Sequence, residues 1–280
     1  MIIRTAINKA SIELRKKKID NSILDSEILM SKVLNKKRDY IILNLEKSLS
    51  SENFAFFKHL VNERLKGKPV AYLTGKKNFW KDEFYVNENV LIPRPDTEII
   101  VEQILEIYKN KKNLRILEIG VGSGCILLSI LKEKKGFTGA GIDVSKGCVK
   151  VCKSNIKKLK ISNKINLYKS DIDNFYFGKY DLIISNPPYI KKTDINSLER
   201  DVKDFEPKLA LDGGLDGLSE IRKIINKSSE LIKKNGKLVL EVAYDQKFKV
   251  NSLLKKKGFY INKILKDLNN NDRCIVSTKI

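Results

Sequence analysis

Apolar residues recur at three- and four-residue steps from Ile3 to about Gly67, as in Ile23, Leu24, Ile28 and Leu29 and again in Phe54, Phe57, Leu60, Val61 and Leu65. That period marks one face of a helix, and breaks near Asp20-Asn21 and Ser48 to Ser51 divide the stretch into a small bundle of short helices. Between Pro69 and Pro95 the pattern turns to aromatic and β-branched residues around Lys and Asn (Phe79, Trp80, Phe84, Tyr85, Val86, Val90), which predicts a β-hairpin linking two domains.

After Asp96 helices and strands alternate. The pattern predicts a helix over 97–109, then strand 114–119, helix 125–134, strand 137–143, helix 145–160 and strands 165–170 and 180–185. A long irregular stretch follows to about Asp216, then a helix to Lys234, strand 237–242, a helix over 248–257 and two last strands near 260–265 and 274–277. Such alternation requires a mostly parallel sheet covered on both faces, an α/β fold of Rossmann-like type, with ligands at the carboxyl ends of the strands. The expected organisation is a helical domain over 1–75, a hairpin linker over 76–95 and a catalytic α/β domain over 96–280.

Composition narrows the chemistry. Apolar runs are short and broken by charge, so no membrane span is expected, and Met1 to Lys18 has its basic cluster after its apolar residues, the wrong order for a secretory signal. A cytoplasmic location is the expectation. Four cysteines form no C-x-x-C pair, and Cys148 and Cys152 share a predicted helix face, so they read as reduced, buried small residues. The single histidine, His59, falls in the helical N-terminal region, which leaves no Ser-His-Asp scheme and few zinc sites, and no metal is expected. The net charge of +21 has two readings. Clustered Lys and Arg neutralise phosphates, so incidental RNA contact is one; Lys spread over nearly every predicted helix, a general compositional bias, is the other.

Strand 114–119 runs through Glu118 into Gly120-Val121-Gly122-Ser123-Gly124 and directly into a helix. Glycines let such a turn adopt positive φ and let backbone N–H groups approach a ligand. The spacing is G-x-G-x-G, and Cys125 stands where the dinucleotide fingerprint has its third glycine. Asp143, at the next strand end, suits the two hydroxyls of a ribose. Asp171, at the end of the third strand, suits an adenine amino group, with Ile172 against the base. Each aspartate singly is also an ordinary helix N-cap; on successive strand ends they favour an adenosine ligand.

Strand 180–185 ends in Asn186-Pro187-Pro188-Tyr189. A residue before proline is held extended, and two prolines remove two donors, so the turn is stiff and offers acceptors. It suits a planar NH₂ group: the Asn186 side-chain oxygen and the Pro187 carbonyl each accept one N–H while the Tyr189 ring stacks on the plane. Asn186, Pro187 and Tyr189 are therefore the expected catalytic residues, with Pro188 and Arg94 in the substrate site and Asn186 also among the cofactor contacts. For Arg94, in a Pro-flanked turn, a salt bridge at the start of the following helix is the plain alternative to lining the entrance.

A G-x-G-x-G loop after one strand and N-P-P-Y after another resemble two groups of S-adenosylmethionine-dependent enzymes, those that methylate an adenine amino group and those that methylate a glutamine amide. Pro69-Val70-Ala71-Tyr72-Leu73-Thr74-Gly75, Leu91-Ile92-Pro93-Arg94-Pro95-Asp96-Thr97-Glu98, Phe205-Glu206-Pro207 with Ala210-Leu211, and Asp272-Arg273 are similar to the second. The whole chain resembles the HemK/PrmC release factor glutamine methyltransferases. That resemblance implies a seven-stranded class I methyltransferase domain and an N-terminal helical domain that engages a peptide chain release factor. It implies that Gly120 to Gly124, Asp143 and Ile172 contact S-adenosylmethionine, and that Asn186 to Tyr189 clamp the glutamine of a Gly-Gly-Gln loop. Ala243 and Asn269 stand where relatives often have glycine. By itself the N-P-P-Y turn leaves glutamine and adenine nearly equal. No segment reads as a separate target-recognition domain, which argues against DNA, and a basic RNA-binding protein on a vestigial methyltransferase fold is the reading from another class.

Overall fold

The computed structural model describes residues 1–280. The N-terminal helices are α1 (Ile3–Lys16), α2 (Ser22–Leu34), α3 (Arg38–Leu43), α4 (Ser51–Leu65) and α5 (Val70–Thr74). Of the periodic apolar residues, Leu29, Phe57, Leu60 and Val61 meet in one core with Ile3, Ile7, Met30 and Ile41, whereas Ile23 and Leu24 at the start of α2 are exposed. Local chemistry sets their ends. Ser50 caps α4 by accepting from the Asn53 N–H, and α2 and α5 stop at Asn35 and Gly75, both in the left-handed region. One cation lies inside: Arg64 pairs with Asp25 at 2.8 Å and with Asp201 at 2.7 Å. Asp201 belongs to a segment far along the chain, and Met1–Lys76 together with Glu199–Phe205 make up this first compact unit.

The second unit, Lys77–Leu198 with Glu206–Ile280, opens on the ribbon formed by β1 (Lys76–Phe79) and β2 (Asp82–Tyr85), turned by Trp80 at φ 55°. Then come α6 (Glu98–Ile107), β3 (Leu114–Ile119), α7 (Cys125–Glu133), β4 (Phe137–Asp143), α8 (Lys146–Leu159), β5 (Ile165–Lys169) and β6 (Tyr180–Ser185). The stretch after β6, expected to be irregular, holds α9 (Arg200–Phe205), which counts with the first unit, and single 3₁₀ turns at Ile195–Ser197 and Lys208–Ala210. The chain ends with α10 (Ser219–Leu231), β7 (Ile232–Glu241), α11 (Lys247–Lys256), β8 (Phe259–Lys266) and β9 (Asp272–Lys279).

The seven strands β3 to β9 form one sheet in the order β5-β4-β3-β6-β7-β9-β8, the seven-stranded, mostly parallel class I arrangement. From β5 to β7 neighbours are parallel; β9 lies antiparallel between β7 and β8. Both faces are buried, so β3 sends Leu114 and Ile116 to one core and Leu117 and Ile119 to the other. Helices α6, α7 and α8 cover the first face, and α10 and α11 cover the second. Strand order reverses at β3, between β4 and β6, and that switch point opens a crevice at the carboxyl ends of the strands. No helix is long and apolar enough to cross a membrane.

Candidate active site

The glycine turn after β3 is left-handed at each glycine, with φ of 73°, 52° and 82° at Gly120, Gly122 and Gly124. Their roles differ. A Cβ on Gly120 would meet nothing within 4 Å, and one on Gly122 only the Gly120 carbonyl at 4.0 Å, so both glycines leave open space in front of the turn. A Cβ on Gly124 would stand 2.6 Å from Cys152 Sγ and 2.8 Å from Leu128 Cδ1, so Gly124 lets α7 pack closely. The turn is held from behind. The N–H groups of Gly120 and Val121 both donate to the Ile142 carbonyl at 2.9 Å. The fully buried Asn155 donates to the Ser123 carbonyl at 2.8 Å and exchanges two bonds with the Tyr85 backbone, tying the turn to β2.

Asp143, at the end of β4, accepts from the Gly122 N–H at 3.0 Å and from the Ser145 N–H at 2.9 Å. Burial pushes its carboxyl up, and those two bonds hold it back. Glu118 accepts from the Leu127 N–H, and burial raises it well above the ordinary glutamate value. Asp171 accepts from the Asp173 N–H and so caps a 3₁₀ turn, while Ile172 beside it is buried. The capping alternative thus applies to Asp171, whose second carboxylate oxygen is not used by the cap.

These residues line a cleft of about 440 Å³. It gathers Gly120, Val121, Gly122, Ser123, Asp143, Asp171 and Ile172 with Asn186, Pro187, Pro188 and Arg94. Two expected residues are not in its wall. Gly124 lies behind the turn for the packing reason given above. Tyr189 packs its ring against the core under α10 and α11, and its hydroxyl donates to Glu241 at 3.3 Å. Arg94 does line the cleft, but its ion-pair partner is Glu206 at 2.5 Å rather than an acid at the helix start. Glu206 also accepts from the Ile92 N–H at 3.2 Å.

Several residues that hold the site carry no local signal. Asn186 Nδ2 donates to Thr97 Oγ1 at 3.3 Å, and Thr97 donates to Glu241 Oε2 at 2.7 Å. Gln246 donates to the carbonyls of Tyr189 and Gly217, both at 3.0 Å, and accepts from the Ala243 N–H. Glu241 ends β7 at the same sheet edge as Asp143 and Asn186, so the strand-end rule that singled out those two applies to it as well.

The cleft fits S-adenosylmethionine in its chemistry. It has unfilled space over two glycines, a buried carboxylate at the second strand end, an apolar residue after the third and acceptors at the fourth. The N-terminal segment matches the PrmC N-terminal domain over residues 5–75, and residues 96–216 match the methyltransferase small domain. Among solved structures, ribosomal protein L11 methylase from Lactobacillus delbrueckii subsp. bulgaricus superposes with a TM-score of 0.51 at 16% identity, covering 70% of this chain and 84% of that one. A methyltransferase from Pyrococcus furiosus gives 0.53 at 15%, covering 70% and 88%. Fold and cleft together define a class I S-adenosylmethionine-dependent methyltransferase domain that follows a helical N-terminal unit in the sequence.

Release factor glutamine methyltransferases of Clostridium acetobutylicum and Caulobacter vibrioides are both 34% identical, over 100% and 93% of this chain and 99% and 91% of their own lengths. The chain belongs to the release factor glutamine methyltransferase family. It is also 32% identical to a bifunctional methyltransferase of Rickettsia conorii, over 99% of this chain but only 58% of that protein, so it spans little more than half of that relative.

Proposed function

We propose that this chain transfers a methyl group from S-adenosylmethionine to the side-chain amide nitrogen of the glutamine in the Gly-Gly-Gln loop of peptide chain release factors. The observation that carries the reading is the end-to-end similarity to release factor glutamine methyltransferases, helical unit included. The helical unit, roughly residues 1–75, would engage the release factor, while residues 96–280 carry the chemistry and 76–95 join them. Release factors act on ribosomes, so the reading carries a cytoplasmic location.

Bound over the glycine turn, S-adenosylmethionine supplies an electrophilic methyl group on a sulfonium. An amide nitrogen is a poor nucleophile because its lone pair is delocalised. The side chain of Asn186 and the carbonyl of Pro187 would accept the two amide N–H groups and turn the nitrogen lone pair toward the methyl, with Pro188 and Arg94 beside the entering loop. Fixed orientation of this kind contributes up to roughly 7–11 kcal/mol to a barrier. As the N–CH₃ bond forms, the S–CH₃ bond would break to leave S-adenosylhomocysteine, and one of the amide protons held by Asn186 and Pro187 would be lost to water. Gly120 to Ser123, Asp143 and Ile172 hold the cofactor in this reading; Gly124 and Tyr189 support the turns from behind.

Methylation of an adenine amino group is the second reading, favoured by the net charge of +21. The test is incubation with labelled cofactor and either purified release factor, its Gly-Gly-Ala variant or oligonucleotides. Label should enter release factor and not the variant; label in nucleic acid alone would overturn the proposal. Asn186→Ala should lower transfer by at least about a hundredfold, the loss typical of a donor or acceptor aimed at the reacting group, with cofactor affinity changed only a few-fold.

A further inference from the structure

Proton counting behind Asn186 leaves only one arrangement of its amide. Glu241 sits at the carboxyl end of β7 with 2% exposure, and when ionised it can only accept. The Thr97 hydroxyl has a single proton, and at 2.7 Å from Glu241 Oε2 it is spent there. Thr97 Oγ1 then has only lone pairs to offer Asn186 at 3.3 Å. An amide oxygen at that position would face another acceptor, so Nδ2 must be there, and Oδ1 is turned to the opposite side of the planar amide. The second Glu241 oxygen is occupied as well, by the Tyr189 hydroxyl at 3.3 Å. A single buried carboxylate therefore sets the polarity of two residues of the N-P-P-Y turn.

We propose that Glu241, through Thr97, is a positioning residue that fixes the flip of Asn186, so that the cleft presents an amide oxygen and not an NH₂ group to the substrate. This rests on the methylation reading only for its consequence: an entering NH₂ group needs an acceptor, and the opposite flip would set two donors against each other. Protonated Glu241 would itself have to donate to Thr97 or Tyr189. Donation to Thr97 frees the Thr97 proton to point at Asn186, and the amide must then reverse. Donation to Tyr189 would leave Thr97 and Asn186 as they are, so the orientation of Asn186 is tied to the proton on the Glu241 oxygen that faces Thr97. The titratable and charged groups facing Glu241 are Arg273, Asp96, Tyr189 and the thiols of Cys125 and Cys274. Burial raises the Glu241 carboxyl to about 7, against the lowering by Thr97, Arg273 and Tyr189, so the reversal falls near neutral pH.

Two measurements on the full chain test this. In the first, the side-chain amide of Asn186 is followed by ¹⁵N NMR without cofactor, its resonance assigned by its loss in Asn186→Ala. Its shift should titrate with a midpoint near that of Glu241, and the titration should vanish in Glu241→Gln and in Thr97→Val. In the second, Thr97→Val should lower kcat for release factor methylation roughly tenfold, the worth of one hydrogen bond, with S-adenosylmethionine Kd nearly constant. Thr97→Ser, which keeps the hydroxyl, should restore most of that rate. An Asn186 resonance that does not titrate, or a Thr97→Val protein as fast as wild type, overturns the positioning role. A resonance that titrates through Glu241 in a protein that never methylates release factor upholds the positioning role and removes the methylation reading instead.

Discussion

Replacing Glu241 by glutamine should flatten the pH dependence of folding stability. Burial disfavours the charged carboxylate, so the folded protein keeps the Glu241 proton up to about pH 7, whereas the unfolded chain releases it near the ordinary value of 4.5. This contribution to stability is full below pH 4.5 and is lost as pH rises through 7. At about 1.4 kcal/mol for each pH unit separating the two values, the carboxylate costs the folded state about 3 kcal/mol at alkaline pH, most of it between pH 5 and 8. Glutamine keeps the shape and never ionises. Urea denaturation of both proteins at pH 5 and pH 8 should therefore show wild type losing about 2–3 kcal/mol more than Glu241→Gln over that interval, equivalent to roughly 4–5 °C in Tm for a chain of this length. Glu118 and Asp143 are also pushed up by burial, but both proteins contain them and their effect cancels in the difference. Whatever glutamine changes in the bonds to Thr97 and Tyr189 adds a constant at both pH values. Parallel losses in the two proteins would refute the argument, and so would a loss in wild type that grows toward acid.

The two kinds of glycine in the turn should separate cleanly. Gly122→Ala should weaken S-adenosylmethionine binding by about tenfold or more in calorimetry at a stability cost of roughly 1–2 kcal/mol from its left-handed backbone, because the space it fills belongs to the cleft. Gly124→Ala adds a clash with Cys152 and Leu128, and thermal unfolding should show about 2–4 kcal/mol of destabilisation. In the helical unit, Arg64→Ala leaves the Asp25 carboxylate buried without its cation. It should cost about 3–5 kcal/mol, read as faster hydrogen exchange across α2 and α4, and Asp25→Asn in the same chain should return part of it.

How far the sequence could be read follows from which interactions are local. Strands β3, β4 and β6 lie where their short apolar runs place them, because a strand covered on both faces buries most of its side chains and reads as a mainly apolar run. β7 begins earlier than its apolar run: Lys233 to Gly236 are polar, and Asn235 at φ 63° and the shifted register beside β6 do not look like a strand. The cleft's glycines, Asp143 and Asn186 could be picked out because each stands where a strand stops. Glu241 also stands there, yet its meaning depends on Thr97, separated from it by 144 residues.

The sequence alone determined the alternation of elements, hence the mostly parallel sheet and the turns at the carboxyl ends of its strands, since hydrophobic period and turn chemistry act over a few neighbouring residues. Tertiary structure alone decided which polar groups meet. Asn155 reaches Tyr85 across 70 residues, Arg64 reaches Asp201 across 137, and Glu241 sets Asn186 through Thr97. A buried donor or acceptor must find a partner wherever the folded chain brings one, and a hydrogen bond leaves no period in the sequence. That is why the N-P-P-Y turn could be singled out for a planar NH₂ group from four adjacent residues, while the side chains packed behind Asn186 became visible only in the fold.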